Sequence, residues 1–231
     1  MTADPRRVTL QNGRLAPHTL DGDGFELVDH ATRMKDFLDE DEVLRVYYPE
    51  MIELVKARTG AARVVVFDHT IRTADDEKRE KLKIREVVRR VHNDYTEWSA
   101  RQRVKDMLPD EAEALLARRF AVVQVWRPIS WPVETHPLAM CDARSVAADD
   151  LVVAERRYPG RVGQTYSVKY NPAHTWVWFP RMRREEALVF KVYDSLTDRA
   201  RFVPHTAFDD PTTPANARPR ESIEIRTFAF F

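Results

Sequence analysis

The stretch TYSVKYNPAHTWVWFPRMRREEALVFKVYDSLTDRARFVPHT (residues 165–206) decides the fold class. It divides into the short β-branched and aromatic runs TYSVKYN, HTWVWFP, EALVFKVYDS and ARFVPHT, separated by turn residues. ESIEIRTFAFF (221–231) adds a further run. Within it and just ahead of it, Arg220, Ser222, Glu224 and Arg226 share one parity, whereas Ile223 and Ile225 take the other. An extended chain sends alternate side chains to opposite faces, so this strand carries a polar face and an apolar face.

Upstream, ARVVVFDHT (62–70) and FAVVQVWRPIS (120–130) also read as strands, and VVRRVHNDYT (87–96) as a strand ending in polar residues. Two segments read as helical. In DEDEVLRVYYPEMIELVKARTG (39–60), Val43, Val46, Tyr47, Met51, Leu54 and Val55 fall near helical spacing and Gly60 marks the stop. Pro49 implies two segments there, or a helix that begins near it. TEWSARQRVKDMLPDEAEALLARRF (96–120) is helical with an interruption near Pro109. The charged TADDEKREKLKIREV (73–87) reads as a loop, a lid or a short exposed helix. Residues 1–40, with LDGDG at 20–24, read as an extended arm with little regular structure. Residues 131–163 read as the apolar WPVETHPLAMCDA followed by a loop containing Pro159, Gly160 and Gly163. The expected fold is α+β: a double-stranded β-helix (jelly roll) core with helices packed on the outside. It is expected to form one domain over residues 1–231, with an N-terminal arm and helix over about 1–60.

Composition narrows the function. The 231 residues are 43% hydrophobic, which excludes a disordered chain. Basic and acidic residues number 37 each, so the basic excess of a nucleic-acid binder is missing. Cys141 is the only cysteine, which excludes an intramolecular disulfide and cysteine-based zinc sites and fits a reducing compartment. MTADPRRVTLQNGR (1–14) lacks the apolar core of a signal peptide, and no apolar run approaches membrane-spanning length. A cytoplasmic protein with no nucleic-acid or membrane partner is expected. The sequence leaves room for a homodimer or a partner protein.

RVHNDYTEW (90–98) holds the chemistry. In an extended chain His92 and Asp94 point to the same face. With one distant histidine they make the two-histidine, one-carboxylate facial triad that holds iron(II) and leaves positions open for co-substrate and dioxygen. The downstream candidates are His136, His174 and His205. His205 ends a strand, and the polar face of RPRESIEIR follows it. An arginine there, Arg220 or Arg226, is suited to grip the far carboxylate of 2-oxoglutarate in a two-pronged hydrogen bond, with Ser222 beside it.

With those landmarks in order, the chain resembles the bacterial and fungal family that includes AsaB-type hydroxylase/desaturases and CmcJ-like proteins, non-haem iron(II), 2-oxoglutarate-dependent oxygenases and their relatives. The resemblance runs from about DGFELVDH (23–30) to the end, through RVVVFDHTIR, VHNDYT, VVQVWRPI, HTWVWFPRM, EALVFKVYDS, PHTAFDDP and RESIEIR. It implies iron ligation by His92, Asp94 and His205, and a 2-oxoglutarate contact at Arg220 and Ser222. The implied activity is hydroxylation or desaturation of a small-molecule specialised metabolite with O2. Gln124 stands where the family leads one to expect Asn, which weakens any carry-over of a contact there.

Other polar positions are secondary. Tyr95 adjoins the ligand pair, and Lys191 lies in an otherwise apolar strand where it needs an anion or an exit to solvent, so both are candidates for co-substrate binding. Arg127 and Gln124 are candidates for substrate binding. His69 and His174 are expected to be structural, and Trp126, Trp176, Trp178 and Phe179 to be core or pocket wall. Two rival readings stand beside the main one: a cupin-type metal dioxygenase that does not use 2-oxoglutarate, and a non-catalytic partner subunit of a biosynthetic oxygenase.

Overall fold

The strands that read as unbroken apolar runs, VVQVW and ALVFKVY, are buried along their whole length because their sheet is covered on both faces. The structure, a computed structural model, describes residues 4–158 and 160–231. In chain order its strands are β1 (Leu10–Asn12), β2 (Phe25–Asp29), β3 (Arg63–Thr73), β4 (Arg85–Glu86), β5 (His92–Asn93), β6 (Phe120–Pro128), β7 (Leu138–Cys141), β8 (Leu151–Tyr158), β9 (Arg161–Val168), β10 (Trp176–Trp178), β11 (Glu186–Asp194), β12 (His205–Ala207) and β13 (Glu221–Phe230). They form two facing sheets. One runs β1-β10-β7-β12-β5-β9-β8, the other β2-β11-β6-β13-β3-β4. Chain neighbours are mostly not sheet neighbours, as the jelly roll requires.

Between the sheets lies one apolar core. It takes Phe120, Val122 and Trp126 from β6, Leu188, Phe190 and Val192 from β11, and Phe228 and Phe230 from β13, against Met140 of β7 and Val177 of β10. The opposite parity of β6, β11 and β13 (Val123, Val125, Val189, Ile223 and Ile225) faces outward into a second core. Helical segments close that second core: α1 (Glu40–Glu42), a π-helical turn over Val43–Tyr47 and α2 (Tyr48–Thr59). Asp39 caps α1 by accepting from the Asp41 and Glu42 amides, and Gly60 ends α2 in the left-handed conformation at φ 73°. Tyr47, Met51, Leu54 and Val55 pack onto the sheet. Pro49 sits in the first turn of α2, where its missing N–H costs nothing.

The remaining helices are α3 (Asp76–Leu82), α4 (Glu97–Met107) and α5 (Ala112–Leu116). The charged segment contains α3, with no buried residue. Thr96 and Ser99 form a reciprocal capping box that starts α4 two residues after Asp94. The Ser99 hydroxyl also donates to the Gln164 carbonyl at 2.7 Å, docking the helix start on β9.

Three expectations are corrected. Residues 1–40 are more than an arm, because β1 joins one sheet beside β10 and β2 joins the other beside β11. The apolar WPVETHPLAMCDA contains β7, the loop expected after it contains β8, and Gly163 lies within β9; Pro159 lies outside the described residues. The strand expected over 87–96 shrinks to His92–Asn93, because the chain turns at Asp94 to enter α4.

Gly24 is fixed by this packing. It lies at φ 91°, and a Cβ there would sit 2.3 Å from Cγ2 of Val203, whose carbonyl orients His205. Gly24→Ala is expected to cost about 1–3 kcal/mol through strain and overpacking. Thermal unfolding should register a drop of roughly 2–4 °C per kcal/mol for a chain of this size.

Candidate metal centre

β5 and β12 are antiparallel neighbours, with His205 directly opposite His92. The imidazole centroids are 4.5 Å apart. Asp94 follows β5 and turns its carboxylate back, so Oδ1 lies 3.3 Å from Nε2 of His92. One ligand atom each from His92, Asp94 and His205 lies within 4.8 Å of the others.

Each ligand is oriented from behind. Nδ1 of His92 is 2.8 Å from the Arg90 carbonyl, and Nδ1 of His205 is 3.0 Å from the Val203 carbonyl. A carbonyl only accepts, so both Nδ1 atoms carry a hydrogen; Nε2 of His205 presents a lone pair, and Nε2 of His92 does so once the proton it donates to Asp94 has left. Oδ2 of Asp94 accepts from Nε2 of Gln124 at 2.6 Å and from Nε of Arg226 at 3.1 Å. Oδ1 is left toward the histidines.

The electrostatics suit a metal. Burial pulls the Asp94 carboxyl up, but Arg226, the His92 hydrogen bond and both imidazoles outweigh it and hold it well below the usual carboxylate range. Burial works against protonated His92, yet the hydrogen bond and charge of Asp94 raise it above 6.5. Burial, then repulsion from His92, lowers His205. Two imidazoles and one carboxylate, open on one side to a cavity of about 280 Å3, match the donor set of a non-haem iron(II) site.

Arg220 and Ser222 occupy the inward parity of β13, together with Glu224 and Arg226. Arg220 is 2% exposed and Ser222 1%. Arg220 donates to the His136 carbonyl at 2.6 Å and lies over the Trp126 ring at 5.3 Å, but its Nε and the Ser222 Oγ have no partner. Burial, with repulsion from Arg72, pushes the Arg220 guanidinium down to about 9. A buried cation beside an unsatisfied hydroxyl fits the carboxylate of a dicarboxylate co-substrate.

Arg226 does other work than expected. Its guanidinium is consumed by Asp94, by Asp68 at 3.3 Å, by Thr70 at 3.0 Å and by Glu224, so it is a support for the metal ligand. Gln124 likewise faces Asp94. Tyr95 lines the cavity, with burial raising its pKa. Arg127 and Lys191 are placed away from the triad. Arg127 points to the outer face of β6, where it meets His30 at 2.7 Å and lies over Tyr47. Lys191 lines a second cavity, paired with Asp21 at 2.6 Å and Asp194 at 2.8 Å. His136, His174 and His69 bond Arg89, Asp150 and Tyr48 respectively. Trp126, Val177 and Phe179 are core, Trp176 packs in a smaller cluster, and Trp178 packs edge-on against Phe208.

Asn93, between the two ligands, was not singled out in the sequence. Its amide donates to the carbonyls of Tyr95 at 2.7 Å and Val192 at 2.8 Å, and its oxygen accepts from the Val203 amide at 3.1 Å. It thereby ties the Asp94 turn to the backbone that holds His205. Two of its three partners lie 99 and 110 positions away, so no local signal marks that link. Glu224, which accepts from the Arg226 guanidinium, was visible through its parity alone.

The chain matches the family model described as an oxidoreductase/YMDC permease-like domain over residues 1–230. It is 32% identical over 236 residues to alpha-ketoglutarate-dependent dioxygenase phiK of Fungal sp. (strain ATCC 74256), which covers 99% of this chain and 85% of the relative. It is 35% identical over 237 residues to hydroxylase/desaturase efuI of Hormonema carpetanum, covering 92% and 79% respectively. Its fold is similar to that of a variant of the iron and alpha-ketoglutarate-dependent endoperoxidase NvfI, with a TM-score of 0.89 at 30% identity over 99% of this chain and 84% of that one. Jelly roll, ligand triad and sequence agree, and the chain belongs to this oxygenase family. Among the described residues no helix is long and apolar enough to cross a membrane.

Two outcomes are expected. Asn93→Ala leaves buried backbone groups without partners and should cost on the order of 2–3 kcal/mol in denaturant unfolding, with weaker metal binding. Metal and proton compete for Nε2 of His92, whose pKa lies above 6.5, so anaerobic iron(II) affinity should fall as pH drops from about 8 to about 6. His205, whose pKa is lowered by burial, should contribute less to that fall than His92.

Proposed function

We propose that this protein is an iron(II)- and 2-oxoglutarate-dependent dioxygenase that hydroxylates or desaturates a small-molecule specialised metabolite, with O2 as oxidant. The observation that carries this reading is the convergence of His92, Asp94 and His205, each with its far side already committed to another group. When bound, the metal and co-substrate supply the dioxygen activation that oxidation of a C–H bond needs.

The chain's own residues do the rest. His92 and His205 would hold the metal through Nε2, and Asp94 through Oδ1. Gln124 and Arg226 keep Asp94 ionised and fixed, so little reorganisation accompanies metal binding. Arg220 and Ser222 take the far carboxylate of 2-oxoglutarate and orient its other end toward the triad. Tyr95 and Phe67, packed edge-on at 6.3 Å, keep water from one wall of the site.

Anaerobic titration of the metal-free protein with iron(II), then with 2-oxoglutarate, tests the assignment. A visible metal-to-ligand charge-transfer band is expected on the second addition. It should vanish in Asp94→Ala, while the thermal unfolding transition persists. Arg220→Gln should weaken 2-oxoglutarate binding roughly 10–100-fold without abolishing iron binding, the scale of a lost charge-assisted contact. Iron binding without the band in the unaltered protein would favour the 2-oxoglutarate-independent dioxygenase instead.

A further inference from the structure

Besides Arg226, five arginines from separate elements line the cavity in front of the triad: Arg72 of β3, Arg85 of β4, Arg90 ahead of β5, Arg103 of α4 and Arg156 of β8. Acids and bases are equal in number, so a surplus of cations does not explain the cluster. Nearby Arg79, Arg89, Arg101 and Arg157 each pair with a carboxylate, of Asp76, Asp209, Glu97 and Glu155. None of the five cavity arginines does so among the described residues.

The acids of the cavity are already engaged. Asp68 and Asp94 are held by Arg226, and Asp106 accepts from the Gln102 amide at 2.8 Å. Arg72 donates to the Glu86 carbonyl at 2.7 Å, and the Arg103 guanidinium lies 5.4 Å from the Phe67 ring centroid. These contacts position the two side chains without neutralising them. Burial lowers the Arg72 pKa, although attraction from Glu224 and Asp94 offsets repulsion from Arg226 and Arg85. Apolar surface stands open in the same cavity, with Trp98 46% exposed and Val162 45%.

We propose that this arginine collar binds a carboxylate on the substrate, whose apolar body lies against Trp98 and Val162; the substrate class is an organic acid. The inference rests on the oxygenase reading and specifies what that site accepts. Guanidinium is the group suited to two-pronged recognition of a carboxylate. The other source of a carboxylate is 2-oxoglutarate itself, so the two must be separated.

The test uses protein loaded anaerobically with iron(II) and saturating 2-oxoglutarate, titrated calorimetrically with 2-naphthoate and with its neutral isostere 2-naphthamide. The acid is expected to bind about 10–100-fold more tightly, the scale of one or two charge-assisted hydrogen bonds. That preference should shrink at high salt and collapse toward unity in both Arg72→Gln and Arg103→Gln. In Arg103→Gln the 2-oxoglutarate titration followed by the charge-transfer band should be unchanged. Equal affinity for acid and amide, failure of the acid to bind, or a preference that survives both substitutions would overturn the proposal. So would a loss of 2-oxoglutarate affinity matching the loss for naphthoate, which would assign the collar to the co-substrate. If the band never forms, the titrations with iron(II) alone still report on the collar. The oxygenase reading and the collar therefore fail independently.

Discussion

A carboxylate placed between two packed sheets is destabilising unless cations and donors meet it there. Asp94 stands in that position. It leaves one sheet at the end of β5, and its Oδ2 is met by Gln124 and Arg226, cross-strand neighbours on the opposite sheet. The polar bridge therefore crosses the core and fixes the spacing of the sheets where the metal ligands converge. It also leaves Oδ1 as the one carboxylate oxygen directed at the histidines. Structural satisfaction and ligand orientation are the same set of hydrogen bonds.

The strands that supply this bridge gain rigidity from burial on both faces. β6 and β13 pack inward on the core between the sheets and outward on the π-helical turn and α2. Sliding either strand by one residue would exchange Gln124 and Arg226 for Val or Ile and send the polar groups into the outer core. The register that protects the hydrophobic cores thus also aims the supports of the metal site. On the other sheet Asn93 plays the corresponding part, joining the backbones of the two ligand-bearing segments.

The inward face of β13 divides its labour along the strand. Arg226 is saturated by Asp94, Asp68, Thr70 and Glu224, whereas Arg220 and Ser222 keep unpaired buried groups. Two arginines of like parity are thereby distinguished by their neighbours: one completes a protein network, the other keeps an unpaired Nε. The five cavity arginines likewise have no carboxylate partner among the described residues.

Much of this was legible in the residues. The β-rich second half, the helices at 39–60 and 96–120, and the parity of β13 follow from periodicity, which is a local property. The jelly roll and the triad of His92, Asp94 and His205 required order along the chain as well as residue type. Arg127 and Lys191 looked like site residues because a charge in an apolar strand needs a partner, but parity sent each to partners on the outer face. The sequence by itself determined which residues have the chemistry to bind a metal and which faces of the strands they share. Only the tertiary structure decided that Arg226 supports Asp94, that Asn93 links the ligand segments and that five distant arginines surround one cavity. These contacts join residues tens to more than a hundred positions apart, and the spacing of neighbours along a chain carries no record of which distant strands will pair.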